Sequence, residues 1–131
     1  MPTLQLLAPI SVGELIDKIT ILKIKHKKAS DSQKLANIER ELNELERTWQ
    51  QEKSPDLDIS DLFNQLTQVN EKLWAIEDDI RAKEAANAFD DEFIQLARSV
   101  YKQNDLRAEL KKQINLRSGS TLVEEKLYQE Y

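Results

Sequence analysis

The stretch LFNQLTQVNEKLWAIEDDI, residues 62–80, decides the fold. Leu62, Leu66, Val69, Leu73, Ile76 and Ile80 recur at alternating spacings of four and three. That average period of 3.5 belongs to a helix that buries one seam. Neither Gly nor Pro interrupts it, and no two-residue alternation competes with it. A second stripe beside the seam, Phe63, Asn70, Trp74 and Glu77, mixes apolar and polar side chains. The reading is a long helix over about 59–86.

The same period extends outward in both directions. Upstream, Leu35, Ile38, Leu42, Leu45 and Trp49 give a helix over about 32–52, closed by Pro55. Before it, Ser11-Val12-Gly13-Glu14 fits a capping box and opens a helix over about 11–29. This helix carries Val12, Leu15, Ile16, Ile19 and Leu22 on one face and Ile21 and Ile24 on the other. A helix apolar on two sides is expected to be central or at an interface. Downstream, Asp90 caps a helix over about 91–116, apolar at Phe93, Ile94, Ala97, Val100 and Tyr101. Gly119 offers a left-handed stop. Thr121-Leu122-Val123-Glu124 matches a capping box again and predicts a short helix over about 121–128. Residues 1–10, with Pro2 and Pro9, read as an extended arm whose Leu4, Leu6 and Leu7 need cover. The expected fold is all-α: a single domain over 1–131, an antiparallel bundle of four long helices with a short C-terminal helix and an N-terminal arm. The apolar surface exceeds one stripe per helix, so a homo-oligomer is expected, a dimer first.

Composition narrows the function classes. The chain has no Cys and one His, which leaves no thiol nucleophile and no His-rich metal site. No apolar run approaches the ~20 residues of a membrane span. No basic n-region with an apolar core opens the chain, so a cytoplasmic location is expected. Net charge is −5, which disfavours nucleic-acid binding. The basic run Lys23–Lys28, which contains His26, suits a helix C-terminus.

Three constellations could carry chemistry. Glu14, Asp17 and Lys18 lie in the first turns of the first helix, where Glu14 and Asp17 also suit the helix dipole. Glu77, Asp78 and Asp79 follow the second stripe. Glu77 is expected to be partly buried, with Arg107 or Lys18 as its cation. A magnesium site on Glu77 and Asp78 or Glu84 is the other reading of these oxygens. Tyr101, Asn104, Asp105, Arg107, Lys111 and Asn115 form the third, on the last helix: positions 104, 108, 111 and 115 continue its apolar seam, yet three of those four are polar. That pattern implies a wet cavity or an anion site, with Arg107 and Lys111 one turn apart.

Several motifs form a recognisable set. They are PISVGELIDKITIL at 9–22, LWAIEDDIR at 73–81, the segment from Phe89-Asp90 to Asn115, and GSTLVEEKLY at 119–128. Together they resemble an uncharacterised bacterial family, a domain of unknown function. The resemblance covers most of the chain outside 26–60 and implies no established activity. All-α nucleotide pyrophosphohydrolases are a weaker likeness, through Glu14-x-x-Asp17. Their second carboxylate pair has no match here, since Ile80 follows Glu77 at three and Asn87 follows Glu84.

The leading expectation is an uncharacterised helical interaction module, self-associating, that binds a protein partner or a small anionic ligand. Lys18, Tyr101, Asn104, Arg107 and Lys111 are its candidate ligand residues, and no cofactor is expected. The alternative is a magnesium-dependent hydrolase of nucleotide-like phosphates, with Glu14, Asp17, Glu77 and Asp78 as metal ligands.

Overall fold

The computed structural model describes residues 2–131. It contains four helices: α1 (Val12–Lys28), α2 (Ser32–Glu52), α3 (Ser60–Ala85) and α4 (Asp91–Ser118). Strands are absent among the described residues. The bounds fall within two residues of those read from the periodicity. Local chemistry sets them. The Ser11 hydroxyl accepts from the Glu14 N–H, Asp31 accepts from that of Lys34, and Asp90 from that of Phe93. Each satisfies one orphan donor of a first turn. Gly119, at φ 70°, closes α4 in the left-handed region, where a side chain would be strained.

α1 packs on all three other helices, as its two apolar sides imply. α3 also packs on α4, whereas α2 packs on α1 alone. The core gathers Ile16, Ile19, Leu62, Leu66 and Ile114 between α1, α3 and α4, and Leu42, Leu45 and Trp49 of α2 pack against it half-buried. The start of α1 lies beside the end of α4, and the end of α4 meets the start of α3 through the Arg117–Asp61 pair.

Two expectations are corrected. Residues 120–131 form no helix. Eight residues fall short of the ~12–15 that an isolated helix needs. Tertiary bonds also hold the segment: Ser120 Oγ accepts from the Val12 N–H at 3.1 Å, and Glu124, the acidic member of the capping box, bonds Lys111 at 3.1 Å. The segment instead runs back along α4. The arm at 2–10 lacks regular structure, and one copy does not cover it: Leu4, Leu6 and Leu7 are 84%, 81% and 91% exposed. Finally, the fully buried residues of α4 lie in its C-terminal half, not on its apolar N-terminal half. Leu110, Ile114 and Asn115 are buried, while Ile94 and Tyr101 are exposed. Length explains this. The 17 residues of α1 span about 25 Å and the 28 of α4 about 42 Å, so α1 covers only part of α4.

Candidate functional site

The polar half of α4 meets α1 in a continuous network. Asp17 sits at its centre, 1% exposed. Its Oδ1 accepts from Asn70 Nδ2 at 2.9 Å and from Arg107 Nε at 3.0 Å. Its Oδ2 accepts from Arg107 Nη2. The Asn70 amide also donates to Thr20 Oγ1 at 2.9 Å, and that hydroxyl donates to the Asp17 carbonyl at 2.7 Å. Three helices therefore converge on one carboxylate. A buried charge needs both a counter-charge and hydrogen bonds, and Asp17 has both. Among the described residues, no side-chain polar atom that is wholly shut off from solvent lacks a partner.

One turn further along α4, Lys111 Nζ donates to Glu14 Oε2 at 2.7 Å and to Glu124 Oε2 at 3.1 Å. Burial would lower the Lys111 pKa, but the bonds to Glu14 and Glu124 outweigh it and leave the ammonium above its ordinary value. Arg107 is raised as well, first by its hydrogen bonds to Asp17, against an opposing effect of burial. Both side chains stay cationic at any physiological pH.

One turn further again, Asn115 Oδ1 accepts from the Gly13 N–H at 2.6 Å. Gly13 permits this contact. A Cβ there would stand 2.5 Å from the Lys111 carbonyl oxygen. Only a residue without a side chain lets the first turn of α1 approach the α4 backbone so closely.

Beside the network, α4 and the C-terminal segment enclose a cleft of about 990 Å³. Tyr101, Asn104, Arg107, Lys111 and Asn115 line its α4 wall, and Glu124 to Gln129 with Tyr131 form the opposite side. The segment is anchored at its far end. Lys126 pairs with Asp105, Tyr131 Oη donates to Asp105 Oδ2 at 2.6 Å, and the Tyr131 ring meets Tyr101 edge-on at 5.1 Å.

The structure thus brings together Tyr101, Asn104, Arg107 and Lys111, with Glu14 at the rim and Asp17 beneath Arg107. Lys18 is not among them: it is exposed and does not line the cleft. Glu77 departs from its expected burial. It is exposed and pairs at 3.0 Å with Arg81 on its own helix, not with Arg107 or Lys18. Asp78 is exposed beside it. Glu77 and Asp78 are not joined to Glu14 and Asp17, and no cluster of three or more Asp, Glu, His or Cys forms among the described residues. No described helix is long and apolar enough to cross a membrane. Thr20, Gly13 and Ser120 were not singled out for these contacts. Asn70 carried a signal, since an amide in an apolar stripe asks for a buried partner.

A family model described as "Family of unknown function" (DUF6165) matches residues 6–131. No curated protein and no solved structure matches the chain.

Proposed function

Starting from the fact that the chain belongs to the DUF6165 family of unknown function, we propose that it is a helical interaction module that self-associates as a dimer. One observation carries this reading: the surface is too large for a chain that works alone. A compact monomer of 15.2 kDa exposes about 7,100 Å². This chain exposes 9658 Å². The excess, about 2,500 Å², is well above the ~800 Å² that each partner buries in a standard interface.

Much of the uncovered apolar surface lies on the two terminal segments. Leu4, Leu6 and Leu7 project from the arm, and Leu127 and Tyr128 from the C-terminal segment. The Val12–Ser120 hydrogen bond roots both segments at one corner of the bundle, from which the C-terminal segment runs back along α4. An exposed apolar arm carried by two identical chains is suited to a two-fold, self-complementary interface.

Light scattering on size-exclusion chromatography tests this with a variant in which Leu4, Leu6 and Leu7 become Ser. The native chain should elute as a dimer and the variant as a folded monomer. A native monomer at high concentration, or a variant that stays dimeric, contradicts the reading.

A further inference from the structure

The α4 wall of the cleft has more hydrogen-bond donors than acceptors to receive them. Arg107 meets Asp17 side-on, through Nε and Nη2. That geometry leaves the end-on edge of the guanidinium, Nη1 and the second N–H of Nη2, without a partner. The Asn104 side chain makes no hydrogen bond among the described residues, although it is half-buried and lines the cleft. Asn115 uses its Oδ1 on Gly13, and its amide N–H groups have no partner among the described residues. Lys111 has used two of its three N–H groups. Asn104, Arg107, Lys111 and Asn115 follow one another at spacings of three, four and four, so the four donors form one row on one helix face.

An acceptor already touches this row. Glu124 reaches Lys111 from an irregular segment, with its side chain 63% exposed. Exposed ion pairs are weakly held, so Glu124 can leave. Glu14, by contrast, approaches Lys111 from α1 and is 34% exposed. The two carboxylates on Lys111 therefore differ: one is fixed by a helix, and the other is exchangeable.

We propose that the cleft between α4 and the C-terminal segment binds a small oxyanionic ligand, and that Glu124 is the internal anion which the ligand displaces from Lys111. The ligand's oxygens are received by the end-on edge of Arg107, by Lys111 and by the Asn104 and Asn115 amides. Asp17 acts as a positioning residue, turning that Arg107 edge outward. Phosphate and carboxylate share this chemistry, and a volume of about 990 Å³ admits a small molecule of either kind. Every group belongs to one copy of the chain, so the inference does not depend on self-association.

The test titrates the full chain with inorganic pyrophosphate in one arm and citrate in the other, at constant ionic strength, followed by amide NMR. The native chain should bind weakly, with shifts confined to Asn104, Arg107, Lys111, Asn115 and the 120–131 segment. Glu124→Gln should bind several-fold more tightly, because a weakly held competitor is gone. Lys111→Met should lose binding. Asn104→Ala, which breaks no hydrogen bond, serves as a second variant should Lys111→Met fail to fold, and it should weaken binding several-fold. Preference for pyrophosphate would name a phosphate ligand, and preference for citrate a carboxylate. Absence of binding by folded Glu124→Gln at millimolar probe would overturn the proposal. So would an affinity that Glu124→Gln leaves unchanged.

Discussion

Asp17 shows what the sequence discloses about a residue and what it hides. Its place in the first two turns of a helix, three residues after Glu14, was legible and had an ordinary explanation in the helix dipole. Its partner was not legible. Arg107 lies 90 positions away, and periodicity along one helix carries no information about which helix faces it. Glu77 is the converse. Its stripe placed it toward the interior, but the structure leaves it exposed on Arg81. A stripe predicts burial only as far as a neighbouring element extends to cover it. The network gives Asp17 a large role in stability. Asp17→Asn leaves the half-buried Arg107 without its counter-charge and should lower unfolding free energy by about 3 kcal/mol in urea titrations. Adding Arg107→Met should recover part of that loss, because no unpaired charge remains. A loss below about 0.5 kcal/mol for Asp17→Asn would reduce the pair to an ordinary surface contact.

At the scale of elements, the four helices were legible because each has its own apolar period and cap. Which half of α4 is buried was not, since that depends on the length of α1. The missing terminal helix has the same origin: a local capping pattern at Thr121–Glu124 yields to tertiary bonds from Ser120 and Glu124. α2 packs on α1 alone and has no fully buried residue. Its amides should therefore exchange through cheaper local openings than those of α1, α3 and α4. Equal protection in all four helices would show a tighter hold on α2 than its contacts provide.

The C-terminal segment has its own pH window. Asp105 is held below its ordinary value, first by Lys126 and then by Tyr131. Its contribution is present above the ordinary carboxylate value of about 4 and is lost as pH falls through the lowered one. Tyr131 is held above about 10, first by its hydrogen bond to Asp105. That contribution is complete below pH 10 and is lost as pH rises through the higher value. Amide NMR signals of residues 126–131 should therefore stay constant from about pH 5 to 9. A transition inside that window would show that Asp105 does not anchor the segment.

At the scale of the whole molecule, surplus apolar surface was readable as more stripes than one bundle needs. Where the surplus would lie was not, because the arm's Leu4, Leu6 and Leu7 could equally have folded onto their own chain. They do not, and a covering partner is what the account requires. Sedimentation equilibrium of the unmodified chain tests this most directly. The account predicts a weight-average mass that rises with concentration from 15.2 kDa toward twice that value and levels there. A mass that stays at 15.2 kDa up to millimolar concentration would contradict it.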